Sequence, residues 1–495
     1  MKYIKYIVVG LLIASFGAVL VTPARKTDEI PSDRVVIRYW TYWSGREGEQ
    51  MQEIVNNFNN TVGKEKGIWV QYVSVSQADQ KILIATAAGV PPDVAGVWGD
   101  QVAQFAAMNA LVPLEEMAAG HHDVDPNTGK DWFPNGITRD YYKPVYWDAC
   151  SFEEHLYALI ATPYSVALYW NKRIFAERAD QLRAAGLDPT RAPQTMDELN
   201  KYSKALEVWK DGHLQAAGFM EQQPGWWREH LYHWFGGSIF DEKTGKLTLT
   251  DPKVIEAYDW LRKSSERIGA AEVMRFSSGL PDPNNNFDTP LVPFFTGEVA
   301  MMKQGPWFSS YMETLVPKMN HVKWKTREEE MSHPRLERRE NYEWGVVPFP
   351  SADPSLHDVS YAGVDVLGIP TTSKHKKEAF EFIAFVNRQD QMEHLCSMHG
   401  KNSPLANMSR EYLENHPNAY IEVFEELGQS QHIYPAPLIP IWPQIRSELQ
   451  DVATHMVLND TTAEKALATA QERLQPLLDN FNARRQLRRD EGLLK

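Results

Sequence analysis

Strand-like and helix-like hydrophobic periods alternate along this chain, and that alternation restricts its fold more than any other feature. Val35-Val36-Ile37-Arg38-Tyr39-Trp40 is β-branched and aromatic, as a buried strand requires. Met51, Ile54, Val55, Phe58 and Val62 then recur at helical spacing in an otherwise polar stretch. A second strand is predicted over 68–75, a second helix over 80–88 ended by Gly89, and a third strand over 92–98 ahead of a helix over 100–111. Strands joined by helical crossovers build parallel sheets with helices on both faces. Ligands of such sheets gather at the carboxyl ends of the strands.

The pattern returns further on. Strands are predicted over 156–160, 165–170 and 214–220, and helices over 196–210, 251–268 and 376–399, the last with Phe380, Phe382 and Phe385 in its stripe. The final hundred residues read as helical, including 444–458 and 463–478. The Pro/Asn-rich stretch 280–293 and the charged stretch 323–339 read as loops or linkers. No internal repeat at solenoid periods is visible. At 495 residues the chain has material for two or three domains, and 43% hydrophobic against 23% charged residues is a globular balance.

The first 24 residues read as a targeting segment. Lys2 and Lys5 form a positive head, Ile7 to Val21 an apolar run broken by Ser15, and Thr22-Pro23-Ala24 a small-residue end. The run is shorter than the roughly 20 residues a spanning helix needs. Cleavage is the expected outcome, and an uncleaved anchor is the alternative; no cysteine is near enough for a lipid anchor. The mature chain is therefore expected in the periplasm or another extracytoplasmic space, free or tethered at one end. With Lys2 and Lys5 gone, the formal charge falls from −14 to −16. So acidic a surface argues against nucleic acid and membrane surfaces as partners. Cys150 and Cys396 are expected to be two buried free thiols, although export permits a disulfide.

Several segments, in order along the chain, carry a resemblance. They are Tyr39-Trp40-Thr41-Tyr42-Trp43-Ser44-Gly45, Ala87-Ala88-Gly89-Val90-Pro91-Pro92-Asp93-Val94 and Leu168-Tyr169-Trp170-Asn171-Lys172. Phe295-Thr296-Gly297-Glu298-Val299-Ala300-Met301-Met302 follows, with Gly305-Pro306-Trp307 and then Trp344-Gly345-Val346-Val347-Pro348-Phe349-Pro350. Each is weak alone, but their shared order over most of the chain is specific. The sequence resembles the extracellular solute-binding proteins of ABC importers, within the sugar-binding group that includes the maltose-binding proteins.

The resemblance implies an α/β, two-lobed periplasmic-binding-protein fold (type II) with a ligand cleft between discontinuous lobes. It places lobe 1 at 34–163 plus 295–350 and lobe 2 at 164–294 plus 351–485. The implied partners are a carbohydrate-like small molecule and the membrane permease subunits of an ABC importer, and the protein is expected to be a monomer. A sugar presents apolar CH faces and an equator of hydroxyls, so its pocket needs aromatic planes and hydrogen-bonding edges. The family's pocket positions fall here on Trp43 and Ser44 after the first strand, Trp98 and Asp100 after the third, Tyr164 at the first crossing, and Trp226 and Trp227. Further along they fall on Trp307, Gly363 and Asp365, Trp442, and Arg446 one turn beyond it. Trp307 and Trp442 match the family's stacking aromatics. Trp40, Trp209 and Trp260 read as core. Asp100 is equally readable as a helix cap, and Arg446 as a solvated helix charge. Val166-Ala167 stands where some maltose binders keep an acidic sugar ligand, which argues against maltose itself.

The competing reading is a secreted carbohydrate-active hydrolase, which also uses aromatic platforms and carboxylates. Hydrolysis needs two carboxylates about 5 to 9.5 Å apart across one bond, and no motif fixes such a pair. A scaffold or adhesion protein would instead disperse its tryptophans among separate cores. His121-His122-Asp123 and His155 lack metal-site spacing, Ser309-Ser310 lacks a nucleophile elbow, and neither phosphate-binding glycine motif occurs. The sequence calls for no cofactor, no metal and no catalytic residue.

Overall fold

Val35–Thr41 extends because its β-branched and aromatic residues bury Ile37, Tyr39 and Thr41 on one face, and nine further strands of three residues or more join it in two sheets. In chain order the strands are β1 (Val35–Thr41), β2 (Ile68–Ser74), β3 (Val94–Trp98), β4 (Ala158–Tyr164) and β5 (Ala167–Asn171). They continue as β6 (Val208–Lys210), β7 (His213–Phe219), β8 (Val299–Gln304), β9 (Trp344–Pro348) and β10 (Gly363–Gly368). The computed structural model describes residues 30–125, 128–281 and 288–490. The targeting segment expected at 1–24, and residues 282–287 of the loop expected over 280–293, lie outside the described residues.

Two five-stranded sheets organise the chain. The first runs β2-β1-β3-β10-β4 and the second β9-β5-β8-β7-β6. In the first, β1 pairs in parallel with β2 and β3, as crossover helices demand, while β10 enters antiparallel between β3 and β4. In the second, β5 is antiparallel to both β8 and β9, and β7 is parallel to β8. Both sheets are thus mixed rather than purely parallel, because strands arriving from the other lobe enter in the opposite sense. Every residue of β5 is buried, with Val166, Leu168 and Trp170 around it facing one hydrophobic layer and Ala167 and Tyr169 the other.

Strand pairing corrects the expected lobe boundaries. The first crossing falls at Tyr164–Ala167, near the expected 163–165, but the chain does not return to lobe 1 near Phe294. β8 and β9 hydrogen-bond to β5, so 295–350 belongs with the second sheet. The return comes between Tyr361 and Gly363, where the core contacts switch from one lobe to the other. From Gly363, residues through Tyr412 pack in the first lobe, and from Ala419 onward the packing is that of the second, apart from Ile433, which reaches the first-lobe core. The resemblance put lobe changes after 163, 294 and 350, whereas strand pairing puts them near 164 and 362.

Helices cover both sheets: α1 (Gly45–Asn60), α2 (Ala78–Ala87), α3 (Met196–Ala205), α4 (Pro252–Ile268), α5 (Lys376–Val386), α6 (Gln389–His399), α7 (Ile421–Leu427), α8 (Trp442–Leu458) and α9 (Ala463–Asp490). Met51, Ile54, Val55 and Phe58 form the buried stripe of α1, and Phe58 meets Phe382 and Phe385 of α5 edge-on at 5.3 Å. Each such ring removed from water contributes about 1.5–3 kcal/mol. The single helix expected over 376–399 is two. The Asn387 amide donates back to the Ile383 carbonyl and its oxygen accepts the Tyr142 hydroxyl at 2.7 Å, which ends the first helix. The helix expected over 196–210 stops at Ala205, and Val208–Lys210 becomes an edge strand that leaves Trp209 exposed rather than in a core. The stretch 323–339, expected as a linker, is folded. Two short helices there bury Glu330 and Arg338, and Arg335 and Arg339 pair with Glu422 of α7. Cys150 and Cys396 are free and buried, and burial pushes both thiols up. Among the described residues, no helix is long and apolar enough to cross a membrane.

Gly363 stands where the chain re-enters the first lobe, and a Cβ there would lie 1.8 Å from the Tyr164 ring. Gly363→Ala should lower the unfolding free energy by about 2–3 kcal/mol. Denaturant titration reads this directly, and an unchanged midpoint would show that Tyr164 moves aside freely.

Candidate functional site

Between the lobes lies a cavity of about 760 Å³, within the usual range for small-molecule sites. The first lobe contributes the end of β3, where Trp98 is followed by a tight 3₁₀ turn carrying Asp100. Gly99 allows this turn to sit against β10, since a Cβ there would come within 3.1 Å of Val364. The second lobe contributes the loop after β7, which runs through Gln222, Trp226 and Trp227 into a 3₁₀ helix Arg228–Phe235. Gly225 at φ +80° and Trp227 at φ +60° turn that loop back on itself. A tryptophan in the left-handed region is uncommon, and such backbone is typically held at a binding surface. Tyr164 and Tyr361, flanking the two crossings, form the inner wall.

Two carboxylates meet this cavity. Asp100 Oδ2 accepts the Trp442 indole N–H at 3.0 Å and Arg446 Nη1 at 2.9 Å, both from α8. Its Oδ1 is buried with no hydrogen-bond donor from the protein. Glu229 is likewise buried, with Oε1 at 3.5 Å from the Gln450 amide and Oε2 unpartnered. Burial pushes the Asp100 carboxyl up, against the opposing pull of Arg446 and the Trp442 N–H, and burial also raises Glu229. Arg446 loses hydration too, yet Asp100 and Glu229 hold it above its ordinary value. His230, stacked 3.9 Å from Tyr361 and 5.1 Å from Trp442, is driven well down by burial and is neutral. The result is aromatic planes on several sides and free acceptors at the edge. That arrangement accepts hydroxyl donors and covers apolar faces.

Of the residues expected at the site, Trp98, Asp100, Tyr164, Trp226, Trp227 and Arg446 line the cavity. The others do not. Trp442 is 0% exposed and belongs to the core of the second lobe, so its ring is not available as a stacking platform and reaches the cleft only through its N–H on Asp100. Trp307 packs behind the wall, edge-on to Tyr164 at 5.1 Å and 6.0 Å from Trp227. Trp43 is buried against His399 at 5.0 Å. Ser44 is exposed just ahead of α1 and makes no side-chain cap bond. Gly363 is buried against Tyr164, and Asp365 is occupied by Lys401 at 3.0 Å, Thr162 at 3.0 Å and the Tyr42 hydroxyl. Asp100 does not cap the following helix with its side chain, and Arg446 is not a solvated charge.

Sequence reasoning missed Glu229, His230, Tyr361 and Gln450. Glu229 and His230 carried a signal: polar residues set in the aromatic run Trp226-Trp227-Arg228-Glu229-His230-Leu231-Tyr232 are rarely placed there for packing. Gln450 sits one helical turn beyond Arg446, so a ligand at one implies reach to the other.

Comparison with known proteins gives one family and one fold. The family model described as bacterial extracellular solute-binding protein matches residues 42–393. A maltotriose-binding protein of Pyrococcus abyssi is 22% identical over 283 residues, 56% of this chain and 51% of that relative, so the match spans about half of the relative's length. Among solved structures, CpMnBP1 with mannobiose bound has a TM-score of 0.70 at 24% identity, covering 89% of this chain and 99% of that one. The sugar-binding protein MalE of Xanthomonas citri gives 0.64 at 19% identity, over 92% and 99%. An ABC substrate-binding protein of Listeria monocytogenes in complex with cycloalternan gives 0.63 at 19%, over 92% and 100%. The two-lobed α/β fold is theirs.

The buried position of Trp442 has a measurable consequence. Trp442→Ala should destabilise the protein by about 3–5 kcal/mol through the cavity it leaves, seen as a lowered denaturation midpoint. An unchanged midpoint would mean that the ring faces the cleft after all.

Proposed function

The chain belongs to the bacterial extracellular solute-binding proteins, and from that premise we propose that it captures a neutral oligosaccharide or polyol between its lobes and delivers it to the permease of an ABC importer. The observation that carries the reading is the interlobe cavity, in which Trp98, Trp226 and Trp227 stand beside the unpartnered oxygens of Asp100 and Glu229. Aromatic faces suit the CH faces of a pyranose, and buried acceptors without donors are costly until a hydroxyl reaches them. The relatives named with mannobiose, maltotriose and cycloalternan support a sugar of two or more rings. An extracytoplasmic location and action as a monomer complete the proposal, in keeping with the family and with the charged N-terminal head ahead of an apolar run.

The geometry supports binding over hydrolysis. Asp100 and Glu229 stand near enough to influence each other, yet one Asp100 oxygen is held by two donors from α8, which suits a fixed acceptor better than a group that must shuttle protons. The reading therefore has the protein return each sugar unchanged.

A thermal-shift panel including mannobiose, maltotriose, larger glucans and mannans, and polyols tests the proposal. A true ligand at 100 times its dissociation constant should add about 2.7 kcal/mol to the folded state. Trp98→Ala should then weaken that ligand by on the order of 2 kcal/mol in calorimetric titration, with the melting point little changed. No shift from any sugar, or full affinity in the variant, would contradict the site.

Acidification gives a second check. Because burial raises both acceptor carboxyls, their protonation begins above the ordinary carboxylate range near about 4. Sugar affinity should be full where both are ionised and should fall as pH drops through the raised values. Folding stability moves the other way for these two groups. Their folded forms hold protons more tightly than the unfolded chain, so their contribution is present at low pH and lost as pH rises through the folded values. Affinity independent of pH down to 4 would show that neither oxygen contacts the sugar.

A further inference from the structure

The two oxygens of Asp100 face different tasks. Oδ2 takes both the Trp442 N–H and Arg446 Nη1, whereas Oδ1 is buried with no protein donor in a residue that lines the cavity. Asp100 follows β3 of the first sheet, while Trp442 and Arg446 open α8, which packs on α4 and on the 3₁₀ helix of the second lobe. Both bonds to Oδ2 therefore cross the cleft. The Asp100 side chain is only 8% exposed, so salt screens these bonds less than it would a surface pair. Arg446 adds a second crossing, its guanidinium 5.8 Å from the Trp98 ring. All of these contacts run between protein atoms, and so they give closure a term that owes nothing to a ligand.

We propose that Asp100 couples recognition to closure, with Oδ2 fastening the lobes through Trp442 and Arg446 while Oδ1 accepts a hydroxyl of the sugar. The second half rests on the sugar-binding reading; the first does not. The closed arrangement is the one in which Trp98 and Asp100 face Trp227 and Glu229, so affinity scales with the fraction of molecules that hold it. Bonds between protein atoms thereby set how tightly the sugar binds. Arg446 and Trp442 are positioning residues on this account, and Asp100 determines specificity, because an acceptor at Oδ1 selects a hydroxyl donor at that point of the ligand.

The test separates the two halves. Dyes are placed on engineered cysteines at exposed sites of either lobe, Ile84→Cys and Leu336→Cys, since the buried native thiols do not compete. Interdye distance is then measured without sugar in the parent, in Arg446→Met, and in Trp442→Phe with Arg446→Met. The phenylalanine keeps a ring against His230 and removes the N–H together with part of the indole's volume, so Arg446→Met alone is the variant free of a core void. The latch predicts a shift of both variants toward longer distances. It also predicts about tenfold weaker binding of whichever of mannobiose and maltotriose the parent binds, with the short distance restored at saturation. Asp100→Asn retains an oxygen for the Trp442 N–H but not the charge that pairs with Arg446, so it should lengthen the distance no more than Arg446→Met does and lose at least tenfold in affinity beyond that variant. Parent-like distances in both α8 variants would overturn the latch. Affinity in Asp100→Asn no weaker than in Arg446→Met would overturn the role of Oδ1. If neither sugar binds the parent, the sugar reading fails on its own, and the distance measurement still decides the latch.

Discussion

The pairing of Gly363–Gly368 between β3 and β4 is the constraint from which the rest of the architecture follows. This strand comes from nearly two hundred residues beyond its neighbour, and it can reach its place only if the chain has crossed from one sheet to the other and back. Its antiparallel entry ties Asp365 to Trp98 in register and Gly363 to Tyr164. Those pairs set the floor of the cleft. Tyr361, Val364, Tyr164 and Trp98 are brought to one cavity by that single insertion, and the close packing of Gly363 on the Tyr164 ring leaves no room for a side chain there.

Around the crossings, buried charge is neutralised locally. Lys401 bridges Asp365 and Thr162 beneath the Trp43 and Trp307 rings, and Lys143 pairs with Glu425 of α7, which also accepts the Ser403 amide. Such pairs cost desolvation that only good geometry offsets, and here each partner carries further hydrogen bonds. The cleft differs. There Asp100 and Glu229 each keep one oxygen without a donor. Other buried polar atoms also lack partners, among them Glu221 Oε2 and Asn402 Oδ1, but those of Asp100 and Glu229 belong to residues that line the cavity.

Much of the fold was legible in the sequence because period and burial agree. The α1 stripe and the strand at 94–98 follow from hydrophobic spacing, and the first lobe change near 164 from a resemblance spread over the chain. The allocation of 295–350 was not legible, since β8 and β9 read as buried strands whichever sheet receives them. At the site, an aromatic residue is ambiguous until its neighbours are known. Trp98 and Trp442 look alike as letters, yet one lines a cavity and the other stacks on His230 in a core. Asp100 and Arg446 were each as readable as a cap or a surface charge as a ligand contact, because nothing local shows that residues 346 positions apart share a bond. Glu229 was visible only as a charge stranded among rings.

The central claim is that one solute contacts both lobes at this cavity. Hydrogen–deuterium exchange with and without a saturating mixture of neutral manno- and malto-oligosaccharides tests it most directly. The account predicts added protection at 98–101 in the first lobe together with 222–230 and 446–450 in the second, appearing at the same sugar concentration. Protection confined to one lobe, or placed away from these segments, would contradict it.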